Sequence, residues 1–334
     1  MSELHAVLAA ALSRRASLFD ALAAEGTDCF RLLHGATEGA PGLTVDRYGS
    51  VLLVQTGREP LQTSPEQLAE VVERETGWRL TPVWNHRPAF RREGFEAHHP
   101  VAELGPRTAR EGGLTVQVDP RHGGLDPLLF LDLRAGRRAV RERARGGEVL
   151  NLFSYTCGVG LAAAAGGARR VDNVDFARSA LSVGATNAAL NGLTGPWHRF
   201  VHEDFFPAVR QLAGLPVKGR RARTRTYLRL APRQFDVVVL DPPRWAKTPF
   251  GAVDVVRDYP SLLKPSLLCV RPGGWILATN HVPAVTLEDF QRVLERTVEK
   301  NGRAVESLEV IVPDEDFPSP DGRPPLKMLL ARLR

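Results

Sequence analysis

A chain of 334 residues, 43% hydrophobic and 25% charged, has the length and composition of a folded protein with one large domain and a smaller companion. These values exclude collagen-like, coiled-coil and largely disordered proteins. The 44 basic residues exceed the 38 acidic ones, and the net charge of +6 favours a polyanionic partner, although a merely soluble surface would also explain it.

The N-terminal residues 1–27 predict an amphipathic helix. Gly26 stands where such a helix should end, and charged residues interrupt the segment too often for a signal peptide. No later apolar run approaches the roughly 20 residues that span a bilayer. The three cysteines are widely spaced and indicate neither disulfides nor a zinc site, so we expect a cytoplasmic protein without a metal or a membrane partner. The leucines at helical spacing are Leu4, Leu8, Leu12, Leu18 and Leu22.

Residues 28–118 predict a small, hairpin-rich α+β domain. Short runs such as GLTVDRY and SVLLVQT are separated by Gly and Pro, which is typical of strands and turns. The segment PEQLAEVVERE predicts a helix. A stretch rich in Gly and Pro near residues 105–127 leads into a second domain, which we place at residues 119–334.

The second domain predicts a parallel sheet with helices on both faces. Runs of Val, Ile and Leu alternate there with helical patterns, as in α/β proteins. The clearest strands are 148–153, 169–175, 235–241 and 274–280. Ligands of such sheets bind beyond the carboxyl ends of the strands. That rule selects Phe153 to Gly160, Asp175, Asp204, Asp241 to Trp245, and Asn280.

A basic segment interrupts this alternation. Between Gln211 and Phe235 there is no acidic residue. A solvated surface loop could have this composition, but contacts to RNA phosphates better explain so much uncompensated charge beside a site strand. Arg244 and Lys247 are further candidates for phosphate contacts, with ordinary surface charge as the alternative. The basic residues of the segment are Lys218, Arg220, Arg221, Arg223, Arg225, Arg229 and Arg233.

The first three strand ends have the features of a nucleoside site. Gly158 and Gly160 lie at a turn into a helix, where glycine lets the backbone approach a ligand; the dinucleotide and triphosphate patterns are absent. Asp175 could accept hydrogen bonds from ribose hydroxyls. Asp204 could accept from an adenine amino group, with Phe205 packed on the adenine ring. Either carboxylate could instead cap a helix.

The segment from Asp241 to Trp245, with the sequence DPPRW, has the most specific chemistry. Its two prolines fix the backbone and remove two donors, which leaves carbonyl oxygens free to accept hydrogen bonds. Asp241 adds a carboxylate and Trp245 a flat aromatic surface. This set suits the exocyclic amino group of a base that is flipped out of RNA and stacked on a ring. We expect Asp241, the Pro242 carbonyl and Trp245 to hold such a base.

Several segments resemble, in order and spacing, the class I S-adenosylmethionine-dependent methyltransferases that modify large-subunit ribosomal RNA, including the cytosine carbon-5 and guanine types. RLLHGATEGAPGLTVDRYGSVLLVQ also resembles their middle domain, so the resemblance covers residues 28–334. It implies a Rossmann-like α/β sheet of seven strands with the last one antiparallel, S-adenosylmethionine as cofactor and ribosomal RNA as partner. The main segments are LLFLDLRAGRRAV, VLNLFSYTCGVGLAAAAGGARRV, NVDFARSAL, HEDFF and FDVVVLDPPRWAKT.

The resemblance, combined with the strand-end rule, also gives a set of cofactor contacts. Many family members begin with an additional RNA-binding domain, and the 27 residues ahead of the match are too few for one. We therefore expect RNA capture to depend on the middle domain and the basic segment. The expected cofactor contacts are Asp132, Arg134, Phe153, Tyr155, Thr156, Gly158, Asp175, Phe176, Asp204, Phe205 and Asp241.

The cytosine carbon-5 enzymes of this family have a nucleophilic cysteine after the fifth strand, whereas this chain has Asn280, His281 and Val282. Carbon 5 of cytosine becomes nucleophilic only after a thiolate adds to carbon 6. A ring or exocyclic nitrogen is therefore favoured as the methyl acceptor. Carbon-5 methylation with Cys157 stays open, as does a noncatalytic RNA-binding or ribosome-assembly factor. The sequence leaves the target nucleotide and the oligomeric state open.

Overall fold

The computed structural model describes residues 3–57, 59–87, 96–97, 107–120, 126–218 and 226–334. The chain divides into two compact units. Unit 1 consists of Met1–Asp132 and Asp314–Gly322, and unit 2 of Leu133–Pro313 and Arg323–Arg334. The domain boundaries expected after residues 27 and 118 stay predictions.

Unit 1 combines helices with a five-stranded sheet in the order β1-β2-β3-β4-β5 and a separate antiparallel hairpin, β6-β7, as far as its residues are described. The predicted strands and helix of the small domain are found there. The strands are β1 (Cys29–His34), β2 (Leu43–Tyr48), β3 (Val51–Thr56), β4 (Thr81–His86), β5 (Glu96–Ala97), β6 (Arg107–Glu111) and β7 (Leu114–Val118). The helices are α1 (Glu3–Arg14), α2 (Ala16–Ala24) and α3 (Pro65–Thr76).

The prediction of a single opening helix is wrong, because the segment breaks at Arg15. The backbone of Arg15 leaves helical geometry at φ −101° and ψ 4°. Its guanidinium is buried and forms a two-pronged ion pair with Glu38, at 2.8 and 2.7 Å. This long-range pair holds Arg15 at the break, at a position where the leucine spacing alone indicates continuous helix.

Unit 2 is built on a seven-stranded sheet in the order β10-β9-β8-β11-β14-β16-β15. The strands from β10 to β14 are parallel, and β16 runs antiparallel to both of its neighbours. This arrangement confirms the predicted fold class and the antiparallel last strand. The strands are β8 (Glu148–Leu152), β9 (Arg170–Asp175), β10 (His198–His202), β11 (Phe235–Leu240), β14 (Val270–Asn280), β15 (Val305–Ile311) and β16 (Lys327–Leu333), with a separate hairpin of β12 (Trp245–Lys247) and β13 (Ala252–Asp254).

Alternating side chains of the central strands pack into two hydrophobic cores, one on each face of this sheet. Val237 and Val239 pack in a cluster with residues of α4 and α5, whereas Val238 and Leu240 pack with residues of α7, α8 and α9. Both faces are therefore covered, as the continuous apolar strands predict. No helix in the described ranges combines the length and the apolar character that crossing a membrane requires. The helices are α4 (Arg134–Arg143), α5 (Gly158–Ala165), α6 (Arg178–Leu190), α7 (Phe205–Leu212), α8 (Tyr259–Leu268) and α9 (Leu287–Lys300).

Candidate active site

The predicted strand-end residues of unit 2 lie along one edge of the sheet. The parallel register aligns Leu152 with Leu240, and Leu240 with Ala278, so that β8 and β11 end at the same level and β14 continues to Asn280. Asp175 is the last residue of β9 and pairs with His202, the last residue of β10. The segments that follow these strands therefore share one edge, as the strand-end rule requires.

The turn between β8 and α5 has an unusual backbone. Phe153, Tyr155 and Cys157 adopt left-handed conformations, with φ values of 58°, 48° and 63°. For a residue with a side chain this conformation costs about 1–2 kcal/mol. Such strain persists where the surroundings fix the chain, and it is concentrated at ligand sites. The turn is thus a strained segment at the edge where a ligand is expected.

The Asp175 carboxylate fixes this turn. One of its oxygens accepts a hydrogen bond from the Tyr155 N–H and the other from the Ala177 N–H, both at 2.8 Å. The residue is 7% exposed, and burial raises the pKa of its carboxyl group. Each oxygen of a carboxylate has a further acceptor position, so the backbone bonds do not use up its capacity for a ligand. Phe176 follows it with a ring that is 52% exposed.

The two glycines of the turn have different surroundings. Gly158 is the first residue of α5, at the predicted turn. Gly160 lies one half-turn later, and a β-carbon there would come within 1.9 Å of the Asn173 side-chain oxygen. Asn173 is fully buried on β9 and accepts a hydrogen bond from Asn151 at 3.0 Å. Close packing of α5 on the sheet therefore explains Gly160 without a ligand.

Asp204 caps helix α7, because its carboxylate accepts a hydrogen bond from the Phe206 N–H at 2.9 Å. Burial raises the pKa of this carboxyl group, although hydrogen bonds from the Thr248 hydroxyl and the Phe206 N–H oppose the shift. The Phe205 ring is only 4% exposed and stacks on Phe153, with the ring centres 4.6 Å apart. The helix-cap alternative for Asp204 is confirmed, and the adenine contacts of both residues stay predictions.

Asp241 follows β11 and is held by the neighbouring strand. Its carboxylate accepts a hydrogen bond from the Thr279 hydroxyl on β14, and the buried Tyr259 hydroxyl donates to the Thr279 carbonyl oxygen at 3.0 Å. Burial and the charge of Asp241 raise the pKa of Tyr259 well above its usual value. Sequence reasoning missed Thr279 and Tyr259; the available signal was a hydroxyl near the end of the strand beside β11.

The rest of the DPPRW segment combines a buried and an exposed part. Pro242 is buried, whereas Trp245 is 62% exposed, the most exposed of the large apolar side chains that the structure describes. Trp245 opens the hairpin and pairs with Asp254 across it. The backbone of this aromatic residue is therefore fixed while its ring faces solvent. A rigid aromatic surface of this kind can stack on a planar ligand.

Comparisons with known proteins agree with this geometry. A family model described as S-adenosylmethionine-dependent methyltransferase matches residues 30–332. The chain belongs to this family. The ribosomal RNA large subunit methyltransferase of Deinococcus radiodurans is 32% identical over 303 residues, which are 89% of this chain and 70% of that protein. Ribosomal RNA large subunit methyltransferase I of Aeromonas salmonicida is 28% identical over 319 residues, 93% of this chain and 76% of that protein.

Solved structures show the same fold. A methyltransferase in complex with SAH has a TM-score of 0.77 at 21% identity, and the match covers 98% of this chain and 80% of that one. The family and the resemblance stated above agree, so this chain is an S-adenosylmethionine-dependent methyltransferase.

The cysteines of this methyltransferase are buried. Cys157 is 1% exposed, and burial raises the pKa of its thiol far above the usual value. Burial raises the pKa of Cys269 to about 12, in the core beside α8. Only a thiolate is a strong nucleophile, so neither side chain has the electrostatic surroundings of a reactive cysteine.

The basic residues expected near RNA phosphates differ in their exposure and pairing. Lys218, Arg244 and Lys247 are exposed. Arg233, however, forms an ion pair with Glu148 at 2.6 Å, so the description of this segment as uncompensated was wrong at that residue. The predicted RNA contacts outside the described residues are Arg220, Arg221, Arg223 and Arg225.

The two predicted contacts in the FLDLR motif belong to different units. Asp132 is the last residue of the first segment of unit 1 and lies in a short 3-10 helix. Arg134 begins α4 in unit 2, and its side chain is 3% exposed. Their place beside the cofactor stays a prediction, as does that of Thr156, which is 3% exposed.

Proposed function

We propose that this methyltransferase acts in the cytoplasm on a base of large-subunit ribosomal RNA and methylates a ring or exocyclic nitrogen. The observation that carries the proposal is the DPPRW segment. Its carboxylate at Asp241 is fixed by Thr279, and its indole at Trp245 is exposed in a rigid hairpin. The relatives from Deinococcus and Aeromonas, whose names specify large-subunit ribosomal RNA, support the choice of substrate.

The strand-end residues fit S-adenosylmethionine. Asp175 is held in place by backbone N–H groups and keeps acceptor positions for ribose hydroxyls. Beside it, the strained turn places the start of α5 at the sheet edge, where free N–H groups can meet a carboxylate. When bound, the cofactor supplies a methyl group on a positively charged sulfur. We assign its binding to the expected residues of unit 2, with Asp175 as the ribose acceptor.

The chain's own contribution to the reaction is to position the base. Asp241 and the Pro242 carbonyl oxygen accept hydrogen bonds from an amino group of the base, while Trp245 stacks on its plane. Correct placement of two reacting groups can supply a large part of the rate acceleration. Attack by nitrogen needs no covalent help from the enzyme, which agrees with a buried Cys157 whose thiol pKa is raised.

Mass spectrometric mapping of ribosomal RNA nucleosides tests the proposal, in cells with and without the protein. We expect one methylated nucleoside to disappear without it and to return with the wild type but not with Asp241→Ala. The matched control is Asp289→Ala, because Asp289 lies in the exposed first turn of α9. An unchanged nucleoside profile would contradict the substrate, and a methyl group on carbon 5 would contradict nitrogen as acceptor. Full turnover by Asp241→Ala would remove its role.

A further inference from the structure

A group of basic side chains lies at the same sheet edge of unit 2. Arg244 is part of the DPPRW segment after β11, and His281 directly follows β14. Lys327 is the first residue of β16 and pairs with Asn280, the last residue of β14. We call Arg244, His281 and Lys327 the basic cluster. Sequence reasoning proposed Arg244 as a phosphate contact and His281 as a base or a residue lining the pocket, and it did not single out Lys327.

Lys327 is the buried member of the basic cluster. It is 5% exposed, and its ammonium group donates a hydrogen bond to the Val282 carbonyl oxygen at 2.7 Å. An ammonium has three donors, and one carbonyl neither uses them all nor neutralises the charge. Burial lowers the pKa of Lys327, which reflects the cost of keeping this charge away from water. Buried charges are normally paired, because isolated burial is expensive.

Arg244 and His281, the other two members of the basic cluster, carry no negative charge that could pair with Lys327. Burial and the positive charges of Lys327 and Arg244 lower the pKa of His281, so both charges act on this imidazole. The Arg244 side chain is exposed. Within the described part of the chain, no carboxylate forms an ion pair with any of the three. The basic cluster is therefore a set of hydrogen-bond donors without an ion-paired carboxylate among the described residues.

We propose that the basic cluster binds a backbone phosphate of the substrate RNA, with Lys327 as its buried contact. The inference rests on the proposed function, since it takes RNA as the substrate. A phosphodiester supplies both the negative charge and the acceptor oxygens that Lys327 lacks. Phosphate contacts fix the register of a nucleic acid on its protein. Arg244 directly precedes Trp245, so a phosphate bound here belongs to a nucleotide close to the base that Trp245 stacks on.

The salt dependence of RNA binding tests this inference. Filter binding of unmodified large-subunit ribosomal RNA, with S-adenosylhomocysteine present, is measured between low and moderate salt for the wild type and Lys327→Met. Loss of one phosphate contact lowers the slope of log affinity against log salt by about 0.7–0.9. We expect that change, with about tenfold weaker binding, which corresponds to one charged hydrogen bond. A purely structural lysine would not change the slope.

Two further variants keep the test decisive. Lys300→Met is the matched control, because Lys300 is exposed at the end of α9, whose other end lies beside the site edge. It should keep the wild-type slope. Arg244→Met removes an exposed member of the cluster and should also lower the salt slope. It replaces Lys327→Met in the test if a thermal melt shows that Lys327→Met is unfolded. An unchanged slope in Arg244→Met and in any folded Lys327→Met would overturn the inference.

Calorimetry distinguishes the phosphate from another anion, the carboxylate of the cofactor. We expect Lys327→Met to bind S-adenosylmethionine within twofold of the wild type. Cofactor binding that is tenfold weaker, with an unchanged RNA slope, would overturn the phosphate assignment. The proposed function is judged separately by nucleoside mapping. If the salt slope changes but ribosomal RNA is not methylated, the proposed function is rejected and the phosphate site is kept. If ribosomal RNA is methylated but the salt slope is unchanged, the phosphate site is rejected and the proposed function is kept.

Discussion

The Asp175 carboxylate links the end of β9 to the turn after β8, because it accepts a hydrogen bond from the Tyr155 N–H at 2.8 Å. Tyr155 has a left-handed backbone, with φ at 48°. One side chain thus holds a strained turn in place and keeps acceptor positions for a ligand. The helix-cap alternative for Asp175 was wrong, because the N-cap of α6 is Ala177 and that helix has no side-chain cap hydrogen bond.

Asp175→Asn should weaken S-adenosylmethionine binding at least tenfold. The amide keeps the shape of the side chain, but its NH2 group then faces one of the two backbone donors, the Tyr155 N–H or the Ala177 N–H. The ribose hydroxyls also lose one acceptor oxygen. Isothermal calorimetry measures the affinity. Asp289→Asn, on the exposed first turn of α9, is the control and should bind as the wild type does. Equal affinity in Asp175→Asn would remove this residue from the cofactor site.

The close packing of Gly184 against Cys157 leads to a second prediction. A β-carbon on Gly184 would come within 2.5 Å of the Cys157 sulfur. Gly184→Ala should therefore lower the free energy of unfolding by about 1–3 kcal/mol, the usual cost of overpacking. Cys157→Gly removes the sulfur and relieves a left-handed residue, so the double variant should regain most of the loss. Urea unfolding gives the free energy of unfolding of the wild type, the two single variants and the double variant. If the effects of the two single substitutions simply add in the double variant, the two positions are not coupled.

Cys157→Gly also tests the carbon-5 alternative. Because Cys157 is 1% exposed and burial raises the pKa of its thiol, we expect the variant to keep methyl transfer within a few-fold of the wild type. Transfer of labelled methyl groups to ribosomal RNA measures this. Loss of activity in a folded variant, together with a covalent RNA adduct of the wild type, would restore cysteine catalysis.

The sheet could be predicted because its strands are continuous apolar runs, and Val238 and its neighbours indicate burial on both faces. The antiparallel position of β16 came from the family resemblance. Contacts between distant residues could not be predicted in this way. Glu38 pairs with Arg15 where the opening helix is interrupted, and Thr279 on β14 donates a hydrogen bond to Asp241 after β11. Each pair depends on the folded register, which local sequence does not encode.

Trp245→Ala should raise the KM for ribosomal RNA about tenfold, since stacking on an aromatic ring contributes about 1–3 kcal/mol per base. Cofactor affinity and the free energy of unfolding should stay close to wild type, because the ring is 62% exposed. Leu190→Ala removes another exposed apolar side chain, at the end of α6, and serves as the control. An unchanged KM in Trp245→Ala would contradict base stacking by this ring.

Glu38 in unit 1 predicts how stability depends on pH. Burial alone would raise the pKa of its carboxyl group, but hydrogen bonds from Arg15, Arg14 and the His34 N–H outweigh it and lower the pKa to about 2. The ordinary pKa of this carboxyl group, which the unfolded chain has, is about 4.5. Because the folded pKa is the lower one, the stabilisation is complete above pH 4.5 and is lost as the pH falls towards 2.

Glu38→Gln should therefore lower the free energy of unfolding by about 2 kcal/mol at neutral pH, after allowance for partial screening by solvent. The difference between the wild type and this variant should shrink as the pH falls from 4.5 to 2, because protonation removes the same charge from the wild type. Urea unfolding at several pH values measures the difference. Glu75→Gln is the control, since Glu75 pairs with Arg74 at the exposed surface and should have little effect. A difference that stays constant down to pH 2 would mean that the charge of Glu38 does not stabilise the break between α1 and α2.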